Sequence, residues 1–579
     1  MKKRISIPCI AMLIGVLLGL TPVHAEDIET LQRAFTDLRF GMFIHFGIRT
    51  FTGGSWGEAD QDVTAFNPAH LDCGQWADAA VSAGMTFGIL TTKHHDGFCL
   101  WDSQTTDNSV AASSWKDGRG DVVREYVDAF RSRGLEPCLY YSIWDNTEGV
   151  GNGDITPSHM DFIKDQLTEI LSDYGPIRML FIDGWSWKMG HRSVPYDEIR
   201  ELVKTLQPEC LLIDNTHLPC LYNNDLIHYE AGGDCPPDNR LPALLSKLIN
   251  KNGGNGWFWD QAVPSANLMS VHEIVETNLD YLEPCWCTFL LNCPPNSEGL
   301  LDANIVSRLA EAGTAWSPDP SRPPLPAQAP QIHDFILPAS AFSTSGNAFY
   351  AIDAKNDRFY YSVWESDPDL PQSITLDLGE VMEGIDILYY VPKYIPMVDP
   401  QEEGSIRSYR ILTSVNGVDF IEAASGTWSG DTKMKVATWD GADARYLRLE
   451  ALSAVNGFAA VTELAVGRTG PSAGVQTGSL RHPDGFRLYP NYPNPFNPDT
   501  VIPFRLENGG RVRLSLFNAS GQTVRILTDR YYSEGLHRVA WNGEDATGRP
   551  VPSGSYVYRF RYGASPDMYA DSRKMLLVK

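Results

Sequence analysis

At 579 residues the chain is too long for one domain, and two to four are expected. A hydrophobic share of 43% is ordinary for globular protein and supports sizeable cores. The formal net charge of −25 argues against nucleic acid or an anionic membrane as partner, because both select basic surfaces, and is compatible with a neutral substrate such as a sugar.

The chain opens with Lys2, Lys3 and Arg4, then an apolar run from Ile5 to Leu20, then Val23-His24-Ala25. This basic, apolar, small-residue order reads as a signal peptide (1–25) cut after Ala25. The run is shorter than the ~20 residues a membrane span needs, and no other stretch is long and apolar enough, so export without a span in the mature chain is expected. Of the 10 cysteines, Cys9 lies in this leader and the others fall between Cys73 and Cys293. An odd number spread over a large domain is not a disulfide framework. Cys285, Cys287 and Cys293 lack zinc-site spacing and read as buried thiols.

Residues 26–317 alternate short apolar strands with helical segments. Strands are predicted at Gly41–Phe46, Phe87–Thr92, Glu136–Ser142, Ile177–Ile182 and Leu211–Asp214; helices at Cys73–Ala83, Asp121–Arg133, Ser158–Tyr174 and Tyr196–Gln207. Strands alternating with helices imply a parallel sheet, and this length suggests a (β/α)8 TIM-like barrel. An open nucleotide-binding sheet is the rival, but no Gly-x-Gly-x-x-Gly follows any strand.

Chemistry gathers at the predicted strand ends. His45 closes the first strand; Lys93-His94-His95-Asp96-Gly97-Phe98, followed by Trp101, closes the second; Tyr140-Tyr141 and Trp144 mark the third. Met179-Leu180-Phe181-Ile182-Asp183-Gly184-Trp185 is the most telling stretch, since a buried strand has no structural use for a terminal carboxylate. Glu230 and Trp257-Phe258-Trp259 follow. Adjacent His94 and His95 are expected on opposite sides of a strand, which with the lack of a ligand motif weighs against a metal site. Imidazoles, aromatic walls and an isolated carboxylate suit a sugar: rings pack on pyranose C–H patches while N–H groups bond hydroxyls. A nucleophilic carboxylate with a second carboxyl as acid/base is the retaining glycosidase arrangement, in which the two stand ~5–5.5 Å apart.

Arg39–Gly47, Lys93–Phe98, Phe181–Gly184 and Leu290-Leu291-Asn292-Cys293-Pro294-Pro295, in that order, resemble glycoside hydrolase family 29, the α-L-fucosidases. The resemblance implies a retaining exo-hydrolase on a (β/α)8 barrel, without a cofactor, acting on fucosylated oligosaccharides or glycoconjugates. It places the nucleophile at Asp183 and the fucose-hydroxyl ligands at His45, His94 and His95. Tyr140 or Tyr141 is the aromatic of the third cluster, and Trp56, Trp101 and Trp257 would line the pocket. The family's acid/base is its least regular position: Glu230 is the first candidate and Glu58 the second. Ser55 and Leu244 stand where relatives often carry Glu, which keeps open a glycan-binding protein with an inactive barrel. A sister α-L-galactosidase activity is the other alternative, because one added hydroxyl is weakly discriminated by an apolar pocket.

A Pro-rich linker (318–334) follows the barrel and reads as a stiff spacer. Residues 335–468 show short alternating strands (Ser373–Leu378, Gly384–Val391, Ser408–Ser414, Tyr446–Ala451, Ala460–Gly467) and resemble the discoidin (coagulation-factor type C) β-sandwich, for which sugar binding and plain packing are both open. After a second linker (469–484), residues 485–579 resemble the immunoglobulin-like C-terminal sorting domain of type IX secretion. That resemblance implies the type IX machinery as a partner and release to, or display on, the cell surface. The expected fold is therefore multidomain: a TIM-like barrel followed by two β-sandwiches.

Overall fold

The computed structural model describes residues 27–469 and 486–578, apart from 54–56, 152–154, 190–193, 216–220, 222–223, 231–234, 236–238, 252–255, 262–266, 354–361, 394–401, 489–490, 492–495, 497, 499, 507–508, 519–521, 533–534 and 564–568. The leader, Ser55 and Trp56 lie outside the described residues. Two compact units divide after Thr469.

Among the described residues, eight strands form one sheet: β1 (Phe40–Ile44), β2 (Phe87–Lys93), β3 (Glu136–Ser142), β4 (Met179–Asp183), β5 (Leu211–Asp214), β6 (Ile227–Tyr229), β7 (Ala243–Leu248) and β8 (Cys287–Asn292). Every pairing is parallel, and the order 5-4-3-2-1-8-7-6 is the cyclic chain order. A doubly wound sheet would reverse direction at some strand; this one curls into a nearly closed TIM-like barrel. The helices between strands start where caps allow: Asp72 accepts from the Gln75 amide, Asp121 from that of Arg124, and Thr156 forms a capping box with His159.

Side chains alternate strictly between two cores. Phe43, Ile89, Cys138, Tyr140, Met179, Phe181, Leu211, Ile213, Leu244 and Leu290 fill the barrel interior. Their neighbours Met42, Ile44, Leu139, Tyr141, Leu180, Ile182, Leu212 and Leu291 face the helices. Continuing the inner phase by two residues past each strand's last core position reaches His45, Ser142, Asp183, Asn215, Ser246 and Asn292. The fold thus delivers polar groups to one end of the barrel by counting alone.

The seam between β5 and β6 carries no ladder among the described residues. Side chains bridge it instead. Asp225 accepts from the Leu212 amide (2.8 Å) while its own amide donates to Leu212 O (2.8 Å), and Asn224 accepts from the Asp214 amide (2.6 Å). Arg200 and Lys204 pair with the buried Asp225. Burial pushes this carboxyl up, but the two cations outweigh burial and bring it down to about 2.

The Pro-rich segment is a strap rather than a free spacer. Arg39 donates to Asp319 O, Arg322 to Thr36 O and Asp37, Trp286 to Pro323 O, and Gln328 to Arg240 O. All of these barrel residues precede strands or end the first helix (Ile28–Thr36), so the strap crosses the barrel's N-terminal end. Apart from a turn at Asp319–Arg322 and a Gln328–Pro326 contact, the segment makes few hydrogen bonds to itself, which leaves carbonyls available for these partners.

The strap leads into an antiparallel domain: β9 (Asp334–Ile336), β10 (Ser340–Ser343), β11 (Trp364–Glu365), β12 (Gln372–Val391), β13 (Ile406–Ser414), β14 (Ile421–Thr427), β15 (Lys435–Ala454), β16 (Ala460–Val461) and β17 (Glu463–Arg468). Seven of these strands make one large sheet, and β11 pairs with β16. The two strands predicted within 373–391 are one, because register shifts between Asp377 and Ile387 carry the ladder through a polar stretch that reads as a turn. In the second unit, a three-stranded and a four-stranded antiparallel sheet enclose a core containing Phe504, Leu514, Trp541, Tyr558 and Phe560, as expected for a sandwich.

Candidate active site

Asp183 ends β4 in the inner phase, buried but for 8% of its surface. Tyr140 O–H donates to its Oδ2 (2.8 Å), and the Gly184 amide donates to its Oδ1 (2.6 Å). Gly184 has φ +75°, and a Cβ there would meet Trp144 Cβ at 2.6 Å, so the residue after the carboxylate must be glycine for the chain to turn so closely. His95 Nε2 lies 3.8 Å from Oδ2.

Three imidazoles stand around the carboxylate, and neighbours fix the tautomers of His45 and His95. Asn292 spends its amide nitrogen on Trp257 O (2.7 Å), so its oxygen accepts from His45 Nδ1–H (2.8 Å). Ser142 donates its hydroxyl to Trp144 O (2.7 Å) and accepts from His95 Nδ1–H (2.6 Å). The His45 and His95 rings therefore present Nε2 as an acceptor for a hydroxyl. Burial lowers all three: His45 falls to about 3, and His94 and His95 lie well below the usual value. Phe258 meets His45 and His94 edge-on (5.4 and 5.0 Å), Trp257 packs on His45 (5.0 Å), and Tyr140 stacks on His94 (5.7 Å). Trp144 stacks on His95 (4.6 Å). The arrangement is a dry aromatic cup with neutral hydroxyl acceptors and one carboxylate.

His94 and His95 do not point apart; their centroids are 4.0 Å from each other. The strand ends at Lys93, and a register shift between Thr91 and Lys93 has already broken its alternation. The geometric part of the argument against a metal site thus fails, although no three His, Cys, Asp or Glu side chains among the described residues are placed to hold a metal ion together. Lys93 turns outward and is fully buried against Asp145 (2.9 Å) and the Tyr141 hydroxyl (3.2 Å). Burial alone would strip its proton, but Asp145 and then Tyr141 outweigh burial.

Tyr140 and Tyr141 are resolved by phase: Tyr141 faces the helices and donates to Gln166 (2.8 Å). Trp101 also leaves the group. Its indole N–H donates to Glu169 (2.7 Å), and it lines a separate cavity of about 350 Å³ with Asp121, Arg124 and Tyr174. It follows the strand by eight residues, beyond the reach of any strand-phase argument. Glu58 is exposed, and its charge acts on Arg49, which lies 5.5 Å from the Phe258 ring. Glu230 follows β6 directly, half-buried, and its Oε2 accepts from Asn215 (2.9 Å). Leu244 is buried in the barrel interior, where no proton donor could serve, so its identity does not weaken the case for catalysis.

Ser142, Asn215, His228, Ser246 and Asn292 had no assigned role in the sequence. The usable signal was the inner phase itself, which picks out each of them once a strand's end is known.

Residues 59–317 match the family model described as Alpha-L-fucosidase. The barrel segment is thus similar to the α-L-fucosidases. An Arabidopsis thaliana Alpha-L-fucosidase 1 is 33% identical over 47% of this chain and 56% of its own length. The Homo sapiens Plasma alpha-L-fucosidase is 22% identical over 50% of this chain and 68% of its own. The chain thus spans little more than half the length of the Arabidopsis relative. A glycoside hydrolase 29 family member from a rumen bacterium aligns with 94% of this chain and 98% of its own at 20% identity and a TM-score of 0.41, which adds nothing to the strand pairing above. Residues 337–464 match the F5/8 type C domain, bearing out the discoidin-like reading, and 503–564 match the FlgD Ig-like domain, a different family from the type IX sorting domain. The fucosidase-family segment contains every cup residue from His94 to Asn292, while His45 precedes it.

Proposed function

We propose that the chain is an exo-acting retaining α-L-fucosidase that removes terminal fucose from glycans by double displacement. The observation that carries this reading is Asp183, held at the strand end by Tyr140 O–H and the Gly184 amide within a ring of neutral imidazoles. Asp183 attacks the anomeric carbon as the glycosidic C–O bond breaks, and Glu230 gives its proton to the departing oxygen. Glu230 then takes a proton from water, whose oxygen displaces Asp183 from the sugar with net retention. The His45, His94 and His95 rings take the sugar hydroxyls, and the aromatic cup takes its apolar face. Branched α1-3/4 fucosylated chains are the favoured substrate class. The leader supports export, and the type IX route to the surface or medium rests on the sequence resemblance of residues 485–579 alone.

The test is hydrolysis of an aryl fucoside and a branched α1-3/4 fucosylated oligosaccharide by wild type and Asp183→Ala. Wild type cleaves both, and the variant loses roughly 10⁴-fold or more on each. A wild type inert on both fucosides sinks the proposal in favour of a binding protein or another sugar. Cleavage of the corresponding α-L-galactoside at equal efficiency would move the assignment to the sister activity.

A further inference from the structure

The acid/base strand β6 is the one strand whose link to β5 has no ladder among the described residues, yet a retaining mechanism needs its carboxyl held at a set distance from Asp183. Beyond the Asp225 and Asn224 bridges, Asn215 ties the two sides together next to the catalytic carboxylate. The Asn215 backbone amide donates to Ile182 O (3.1 Å), the carbonyl just before Asp183. Its side-chain amide donates to Glu230 Oε2 (2.9 Å). Its side-chain oxygen faces His228 Nδ1 (2.8 Å), and His228 Nε2 meets Ser246 Oγ (2.8 Å) on β7.

We infer that Ser246, His228 and Asn215 form a positioning relay that holds Glu230 against Asp183 across the open seam and dictates which of its oxygens carries the proton. This rests on the reading of Glu230 as acid/base. The roles along the relay are forced. Asn215 needs its NH2 for the Glu230 carboxylate, so its oxygen can only accept, and His228 must carry its proton on Nδ1. His228 Nε2 is then an acceptor, filled by the Ser246 hydroxyl. His228 is buried, and Phe181 meets its ring edge-on at 4.8 Å, so it cannot swing away. Because Asn215 occupies Oε2 as a donor, the transferable proton sits on Oε1. A protonated Oε2 would set hydrogen against hydrogen.

The experiment compares the full-length wild type with Glu230→Ala, Asn215→Ala, Asn215→Asp and Ser246→Ala on two substrates, dinitrophenyl and methyl α-L-fucoside. The first leaves without a proton and the second does not. Glu230→Ala should lose on the order of 10²–10⁴-fold on the methyl fucoside while changing little in dinitrophenol release during the first turnover. Asn215→Ala should reproduce that leaving-group pattern at roughly a tenth to a hundredth of wild-type rate on the methyl fucoside. Asn215→Asp sets a second carboxylate beside Glu230, so the basic limb of its kcat/KM profile should move up by about one pH unit. Ser246→Ala, which removes one hydroxyl at the far end, should show the same pattern at a few-fold and covers the case where Asn215 variants do not fold. If Glu230→Ala shows the leaving-group signature but Asn215→Ala and Ser246→Ala slow both fucosides equally, the relay is overturned and Glu230 stands. If Glu230→Ala itself lacks the signature, the acid/base assignment falls and takes the relay with it.

Discussion

The mouth of the barrel and the seam between β5 and β6 each bury a carboxylate, and the contrast between them separates chemistry from construction. Asp225, in the seam, is clamped by Arg200 and Lys204 and by the Leu212 amide, and the cations hold it down to about 2. Asp183, at the mouth, is held by a phenol, a glycine amide and the neighbourhood of a neutral imidazole. Paired cations spend a carboxylate's charge on structure; neutral donors orient it and leave the charge for an electrophile.

Exchanging the two losses sharpens this most. Asp183→Ala should remove roughly 10⁴-fold or more of kcat with a melting temperature close to wild type. Asp225→Ala should cost about 1–3 kcal/mol in urea unfolding, because two half-buried cations and the buried Leu212 amide lose their partner, yet leave kcat per folded molecule within a few-fold. If Asp225→Ala is silent in unfolding and severe in kcat, the division between mouth and seam is wrong. The same carboxyl predicts an acid limit. Its folded value lies below the unfolded ~3.9, so its contribution is complete above about pH 4 and is lost as pH falls towards 2.

Tyr140 and Tyr141 repeat the contrast within one dipeptide. Tyr140→Phe should lower kcat by roughly 10- to 100-fold with little change in stability, since only the Asp183 contact goes. Tyr141→Phe should leave kcat alone and cost about 1–3 kcal/mol, since Lys93 and Gln166 lose a buried partner. Kinetic and unfolding data that rank the pair the other way round would break the phase assignment.

Smaller effects follow from the imidazoles. With His45 down at about 3 and burial holding its two neighbours well below the usual value, no imidazole of the cup titrates near 6.5, so KM for an aryl fucoside should show no step there. A tenfold rise in KM centred near pH 6.5 would contradict this. The stability sign is fixed too. The unfolded chain takes up these protons near 6.5 while the folded one refuses them, so the cup's contribution is full above that pH and declines as pH falls towards 3. Trp101→Phe should change neither KM nor kcat.

Much of this was legible in the sequence. The β3 range and the ends of four helices fall within two residues of their predicted places, because apolar runs and Asp or Thr caps are local signals. Asp183 was legible because a carboxylate at the end of a buried strand has no cheaper explanation. What escaped was of two kinds. Trp101 and the side-by-side His94 and His95 depend on where a strand stops and how a bulge resets its phase, which composition does not encode. Asn215, His228 and Ser246 looked like ordinary polar residues, and only the missing ladder between β5 and β6 gives them work.

The strap across the N-terminal end of the barrel bears on how such proteins can be recombined. A gene fusion cut after Trp316 would strip Thr36, Arg39, Arg240 and Trp286 of the carbonyl, guanidinium and side-chain amide partners that the next segment supplies. The barrel and the domain after it therefore travel as a single cassette, and the interchangeable boundary is the one beyond Thr469. A cargo joined at that boundary gains the tail and leaves the strap's contacts with the barrel intact.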